Sequence, residues 1–176
     1  MSIEKTFLQS IIKRFDFYKN LGDKTFEQLN DADFHFQLNE ENNSIAIIIQ
    51  HLGNNLLSRW TDFLTTDGEK EWRNRDAEFE RTNYSRQQLI ELWEKGWSAC
   101  LDSIHSLTED DLQKTVYIRT EPHSVVDAIN RSLSHASYHV GQIVIIAKYI
   151  KNDSWKTLSI PKNKSAEFNE QLKKSM

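Results

Sequence analysis

Apolar residues recur every three or four positions along several stretches of the chain, the spacing that is typical of amphipathic helices. The first stretch, residues 3–20, carries its apolar positions at Ile3, Phe7, Ile11, Phe15 and Tyr18. The pattern breaks at residues 21–23, and one further turn of helix is predicted to run to about residue 29. Residues 30–43 are rich in Asn and Asp and therefore predict a loop.

A second helical pattern begins after Ser44, a residue type that caps helix N-termini, and is predicted to run to about residue 65. Its apolar stripe consists of Ile45, Ile48, Ile49, Leu52, Leu56, Trp60 and Phe63. Residues 66–83 then predict an irregular, highly charged connection, in which Trp72 and Phe79 are the expected anchors.

Two more long helices follow. Ser85 and Gln88 form a capping-box signature that opens a third helix, predicted to run to about residue 105. Its buried side is predicted to consist of Leu89, Leu92, Trp93, Trp97 and Leu101. Residues 108–112 predict one helical turn and residues 116–119 a short extended segment. Ser124 caps the fourth helix, which is predicted to reach about residue 151.

The pattern as a whole predicts an all-α protein. Four long helices joined by two long connections favour a four-helix bundle, and five Gly and two Pro leave few places for the tight turns of a β fold. After residue 155 an extended tail is predicted, with a terminal turn of helix from Ser165. Because no linker interrupts the pattern, we expect residues 1–176 to form a single domain.

Composition narrows the function classes. The formal net charge of −4 lacks the basic surplus of a nucleic-acid-binding protein, so no nucleic-acid partner is expected. No apolar run approaches the ~20 residues of a membrane span, and charged residues occupy the N-terminal stretch where a signal peptide is apolar. The single cysteine, Cys100, excludes an intramolecular disulfide and fits a reducing compartment. These features predict a cytoplasmic protein without membrane contact.

Histidines on two of the predicted helices suggest a metal site. His135 and His139 lie four residues apart, which places two imidazoles on adjacent turns of one helix, beside Ser132 and Gln142. His51 lies on the second helix, in a flank that is polar but almost uncharged, as expected for the lining of a cavity. His51, Asn54, Asn55, Ser58 and Asp62 make up this flank.

Spacing alone also allows a second interpretation. In it, His135 and His139 are core histidines that hydrogen-bond to Ser132 or water, and His51 donates to a neighbouring helix. The metal interpretation requires three neutral imidazoles, a donor set that suits Zn, Ni, Fe(II) or Co. Three protein ligands leave a coordination position open, as in catalytic sites. His35, His105 and His123 lie in or beside predicted loops and are expected to face solvent.

Two of these segments resemble the signatures of the DinB-like superfamily. Residues 134–142 contain two histidines four positions apart and then Gly141 and Gln142, and residues 48–55 contain His51 followed four positions later by Asn55. Further motifs resemble an uncharacterised branch of that superfamily, and they lie at residues 58–63, 67–70, 73–76, 78–79 and 159–162.

The resemblance implies an up-down-down-up four-helix bundle, often a homodimer, with one divalent metal ion on His51, His135 and His139. Zinc and nickel are the favoured ions, followed by iron and cobalt. Characterised relatives include bacillithiol transferases and mycothiol-dependent maleylpyruvate isomerase. The resemblance therefore implies a metal-dependent enzyme that acts with a low-molecular-weight thiol or another small-molecule substrate. The superfamily name refers to DNA damage induction and implies no DNA binding.

Several functions remain open at this point. If the protein is a thiol transferase, the groups expected to orient the substrate are Asn55, Ser58, Arg59 and Gln142, and none of these is an obvious general base. An ion pair between Arg59 and an acidic residue of segment 67–80 is an equally good interpretation of that arginine. The alternatives are a metal-dependent hydrolase and a dimeric metal-binding or stress-response scaffold without catalysis.

Overall fold

A computed structural model describes residues 2–81 and 83–174, and within them the chain is mainly helical. The α-helices are α1 Ile3–Phe26, α2 Asp31–Phe34, α3 Ile45–Trp60, α4 Arg86–Ser106, α5 Val125–Lys151 and α6 Ser165–Lys174. Short 3-10 turns span Asp76–Phe79, Glu109–Gln113 and Asn152–Ser154. Strands β1 Thr115–Ile118 and β2 Glu121–Ser124 form one antiparallel hairpin. The prediction of an all-α protein is therefore confirmed apart from this hairpin.

Serine side chains start the four long helices. The hydroxyl of Ser44 accepts a hydrogen bond from a backbone N–H of the first turn of α3, and the hydroxyls of Ser2 and Ser124 do the same for α1 and α5. Ser85 and Gln88 form the predicted capping box at the start of α4. These bonds satisfy backbone donors that a helix N-terminus otherwise leaves unpaired. The predicted caps at Ser44, Ser85 and Ser124 are confirmed.

The long helices share one hydrophobic core. Helix α1 packs against α4 and α5, and α3 packs against the same two helices. Trp93 and Trp97 of α4 are fully buried, and the ring of Phe15 meets the rings of Trp60 and Trp97 edge-on at 5.9 and 6.3 Å. This core fixes α3 and α5 relative to each other, and these are the two helices that carry the histidines of interest.

Several predicted boundaries are wrong. Helix α1 continues through residues 21–23, because Gly22 is needed for close packing rather than for a turn: a Cβ there would lie 2.4 Å from the ring of Trp93. Helix α3 ends at Trp60 rather than near residue 65, since Asp62 has a φ of 51°. The predicted loop 30–43 contains α2, which Asn30 opens through a capping box.

The hairpin was predicted only in part. Its first strand overlaps the expected extended segment 116–119, whereas its second strand, in which Pro122 pairs with Tyr117, was missed. The carboxylate of Asp67 accepts hydrogen bonds from the backbone N–H groups of Arg119 and Thr120, at 2.9 and 2.7 Å. The hairpin tip is thereby tied to the segment that follows α3.

The terminal helix α6 spans ten residues rather than the single turn predicted from Ser165. Among the described residues, no helix combines the length and the apolar character that crossing a membrane requires.

Candidate metal centre

Helices α3 and α5 bring three histidines together at one point. The Nε2 atom of His135 lies 3.0 Å from Nε2 of His51 and 3.2 Å from Nε2 of His139. One ligand atom from each residue lies within 4.8 Å of the others. His135 and His139 contribute from successive turns of α5, as their spacing predicts, and His51 faces them from α3. The structure thus assembles the three residues that were predicted as metal ligands.

The two Nε2 separations from His135 suit a first-row divalent ion. With metal–nitrogen distances near 2.0–2.1 Å, ligand atoms at neighbouring corners of a tetrahedron lie roughly 3.3 Å apart. The observed Nε2 separations of 3.0 and 3.2 Å are close to that value. Three imidazole nitrogens without a thiolate form a donor set that zinc, nickel, iron and cobalt all accept.

Hydrogen bonds to the outer nitrogens fix two of the three imidazole tautomers. Nδ1 of His51 lies 2.9 Å from the carboxylate of Glu78. Nδ1 of His139 lies 2.8 Å from the side-chain oxygen of Gln142. Both partners are acceptors, so Nδ1 of each ring is the nitrogen that carries a proton, and in the neutral form of each ring the Nε2 lone pair faces the cluster. Metal-bound histidines are held by their second nitrogen in the same way.

His135 distinguishes the two interpretations of the cluster. Its Nδ1 is buried and has no hydrogen-bond partner within the described part of the chain. If Nε2 of His135 carries the proton, it can donate well to only one of the two facing Nε2 atoms, those of His51 and His139, and Nδ1 stays unpaired. If Nδ1 carries the proton, three lone pairs face one another. The hydroxyl of Ser132 accepts from Trp60 Nε1 at 3.1 Å and makes no hydrogen bond to Nδ1 of His135. Hydrogen bonding among the histidines therefore leaves Nε2 lone pairs unsatisfied at the centre of the cluster, whereas a cation would accept all three of them; Nδ1 of His135 has no partner in either case.

Glu78 belongs to the site, although the sequence identified it only as part of the motif at residues 78–79 and predicted no role for it there. It lies in the 3-10 turn Asp76–Phe79, is only 3% exposed, and accepts hydrogen bonds from Nε and Nη2 of Arg73, both at 2.8 Å. Burial raises the pKa of Glu78, but the hydrogen bonds from Arg73 and His51 bring it below its ordinary value. The carboxylate is therefore ionised at neutral pH. No spacing in a charged, irregular segment singles out this glutamate.

The same segment contains the two aromatic residues expected to anchor it. Phe79 does so: its ring lies 4.6 Å from the ring of His51, tilted by 32°. Trp72 does not, since it is 55% exposed, and that prediction is wrong. Phe79 covers one face of the imidazole, so the segment after α3 both orients and shields His51.

The environment keeps the histidines of α5 neutral. Burial, and then the nearby His139 and His51, lower the pKa of His135 to about 3. Burial and His51 lower the pKa of His139 to about 4. Since an imidazole must be unprotonated to bind a metal ion, both rings are in the required state at neutral pH.

A cleft of about 270 Å³ opens beside the cluster, and His51 and His135 form part of its wall. Five arginines line it, and they are Arg59, Arg73, Arg75, Arg119 and Arg131. The fold thus places a strongly positive cleft directly beside the inward-facing imidazole nitrogens.

The four residues predicted to orient a substrate have different surroundings. Asn55 and Arg59 line the cleft. Arg59 also lies 3.4 Å from Glu69, which confirms the ion pair with segment 67–80. The hydroxyl of Ser58 is buried and donates to the carbonyl of Gly68 at 2.7 Å, so it supports the fold. Gln142 contacts His139 rather than the cleft.

The remaining histidines and the cysteine lie elsewhere. His35 and His105 are exposed, as predicted. The side chain of His123 is instead only 14% exposed, and its Nδ1 pairs with Asp127 at 2.6 Å. Cys100 is fully buried, and burial raises the pKa of its thiol well above the ordinary value, which does not suit a nucleophile.

Comparison with known proteins places the chain in a family. A family model described as "Protein of unknown function (DUF1572)" matches residues 2–164. No curated protein matches the chain.

Proposed function

The chain belongs to the DUF1572 family of proteins of unknown function, and we propose that it holds one divalent metal ion through Nε2 of His51, His135 and His139. The observation that carries this proposal is the convergence of the Nε2 atoms of three imidazoles, two of which are oriented by acceptors at their Nδ1 atoms. Zinc and nickel are the favoured ions, and iron or cobalt would also suit three neutral imidazoles.

The proposed ion would have an accessible side. His51 and His135 both line the cleft, so a coordination position not taken by protein would face it. A divalent ion in this place would lower the pKa of a thiol or water molecule bound to it. The protein's own part is to orient the imidazoles through Glu78 and Gln142, to exclude bulk water with Phe79, and to surround the cleft with positive charge.

We further propose that the nucleophile is a low-molecular-weight thiol. Among the described residues that line the cleft there is no carboxylate, and Glu78 is fully used by Arg73 and His51. Hydrolysis by a water molecule usually needs a carboxylate base near the metal, whereas a thiol needs only stabilisation as thiolate. Positive charge from the arginines stabilises that anion. The thiol reaction is thus better supported than a metal-dependent hydrolase.

The reaction can be tested with a model electrophile. A thiol that attacks monochlorobimane forms a carbon–sulfur bond and displaces chloride, and the thiol proton passes to solvent. Purified, metal-loaded protein should accelerate this reaction with bacillithiol or glutathione, and His139→Ala should abolish the acceleration. His105→Ala is the matched control, because His105 is exposed and lies on α4, which carries none of the three proposed ligands. Equal rates for wild type and His139→Ala would contradict a metal-dependent thiol reaction.

A non-catalytic metal-binding scaffold makes a different prediction. In cobalt-substituted protein, a thiol that reaches the metal changes the visible absorption, whereas in a scaffold with a closed site the spectrum stays constant on adding thiol. We also propose, from the motifs at residues 48–55 and 134–142, that the four long helices form a DinB-like up-down-down-up bundle and that the protein is a cytoplasmic homodimer. Light scattering coupled to size exclusion measures the oligomeric state.

A further inference from the structure

The arginines around the cleft are not balanced by acidic groups. Glu69 accepts from Arg119 at 3.1 Å and lies 3.4 Å from Arg59 and 3.6 Å from Arg73. One carboxylate is thus shared by three guanidinium groups, and Arg73 has Glu78 as its second partner.

Two further arginines add charge without an acidic partner. Within the described residues neither Arg75 nor Arg131 is within ion-pair distance of a carboxylate. The guanidinium of Arg75 lies over the ring of Phe79, 5.2 Å from its centre, and Arg131 is exposed on α5 at the edge of the cleft. Counting Glu69 and Glu78, the five arginines keep an excess of three positive charges.

Within the part of the chain that the structure describes, two buried guanidinium nitrogens at the wall of the cleft lack hydrogen-bond partners. They are Nη1 of Arg59 and Nη1 of Arg73, and the side chain of Arg73 is only 1% exposed. Leaving a buried donor unpaired is unfavourable, and more so when it is charged. Gly68 packs against Arg59, since a Cβ there would lie 3.1 Å from its Nη1. The arginine is thus held at the cleft by its surroundings as well as by Glu69.

From this arrangement we propose that the cleft binds the doubly negative end of a small-molecule substrate. The group is a pair of carboxylates or a phosphate, because planar guanidinium groups form paired, charge-assisted hydrogen bonds with both. Arg59 and Arg131 supply the main contacts, and Arg73, Arg75 and Arg119 supply the surrounding field. The cleft, at about 270 Å³, is near the lower end of the size range of small-molecule sites, so it suits one end of a small molecule.

The role of this anion site in holding a substrate beside a metal ion rests on the proposed function. The binding of an anion by the arginines does not. If an ion is bound at the histidine cluster, a substrate anchored by the arginines has its other end next to the open coordination position. The arginines then select which substrate reaches the metal. They bind an anion even when no metal is present.

Calorimetric titration with succinate and with phenylphosphonate tests the proposal and separates the carboxylate from the phosphate source. Each is titrated into zinc-loaded wild-type protein at low salt, with neutral succinamide as the reference compound. At least one anion should bind and succinamide should not. Arg59→Gln and Arg131→Gln should each weaken binding on the order of tenfold, as expected for the loss of a charge-assisted contact. Arg14→Gln is the matched control on the exposed side of α1 and should bind like wild type.

The metal-free His139→Ala variant distinguishes this proposal from the metal site. It should still bind the anion, with a dependence on Arg59 and Arg131 like that of wild type. If binding disappears in His139→Ala but survives both arginine substitutions, the anion binds the metal and not the arginines, and the proposal is overturned. It is also overturned if neither anion binds wild type, or if all three arginine variants bind equally. Circular dichroism confirms that Arg59→Gln is folded, and the exposed Arg131 gives a second test that does not depend on the core.

Discussion

Replacing Glu78 by Gln tests whether the carboxylate that contacts Nδ1 of His51 orients this histidine. The substitution keeps the size of a side chain that is only 3% exposed and removes its charge. The carboxylate now accepts from Arg73 at two nitrogens and from His51 at one. An amide has one acceptor oxygen and an NH2 group, so one of these donors must face another donor.

Two effects of different size follow from this geometry. The guanidinium of Arg73, 1% exposed, would keep only Glu69 at 3.6 Å as an acidic neighbour. Removing one partner of a buried ion pair costs about 3–5 kcal/mol. Because the amide oxygen of Gln still accepts one hydrogen bond, we expect the free energy of unfolding to fall by about 3 kcal/mol. Loss of the outer hydrogen bond of a metal ligand weakens metal affinity by about 10- to 100-fold. That range corresponds to about 1.4–2.8 kcal/mol.

The assay has two parts. Urea unfolding of the metal-free protein measures the change in the free energy of unfolding, and competition with a chelating dye at neutral pH measures zinc affinity. Glu71→Gln is the control, because Glu71 lies exposed in the same segment. If Glu78→Gln lowers the unfolding free energy but leaves zinc affinity unchanged, Glu78 serves only Arg73, and the inference that it orients His51 is refuted.

Two further predictions concern pH and packing. In the folded protein the pKa of His135 is lowered from 6.5 to about 3 and that of His139 to about 4. As the pH falls below 6.5, the unfolded chain therefore takes up protons at both histidines while the folded protein does not. The metal-free protein should lose stability as the pH falls from 6.5 towards 4. The urea midpoint should therefore fall between pH 7 and pH 5, and it should fall less in a variant with both histidines changed to Gln. Gly96→Ala should lower the free energy of unfolding by about 1–3 kcal/mol, because its Cβ would lie 2.5 Å from the carbonyl oxygen of Gly53. Gly141→Ala, whose Cβ would meet no atom of the described residues within 4 Å, should raise the free energy of unfolding by about 1 kcal/mol in thermal or urea unfolding.

Much of the helical framework could be predicted because local chemistry determines it. Ser44, Ser85 and Ser124 are caps whose effect depends on three or four neighbouring residues, and the apolar stripes follow from helix periodicity alone. Predicted helix boundaries were wrong where a contact with a residue far away in the sequence determines them. Gly22 lies inside a helix because the ring of Trp93 needs the space, and no local pattern reveals a partner about 70 residues away.

In the candidate site too, local spacing allowed some residues to be predicted, whereas others depend on how distant segments fold together. His135 and His139 are neighbours on one helix, so their spacing in the sequence already expresses their geometry. His51 required an argument from the polar flank of α3 together with a resemblance. The role of Glu78 could not be predicted, because it arises only when the segment after α3 folds back onto that helix. The cluster of five arginines was equally hidden, since they come from α3, the following segment, the hairpin and α5.

The most direct test of the metal site is the metal content of protein purified without an affinity tag. Elemental analysis should find close to one equivalent of zinc, nickel, iron or cobalt per chain in the wild type and in His105→Ala. It should find much less in His51→Ala and in a variant with both His135 and His139 changed to Ala. A wild-type protein that contains well below one equivalent, and takes up none when zinc is added, would contradict the proposal that these three histidines form a metal site.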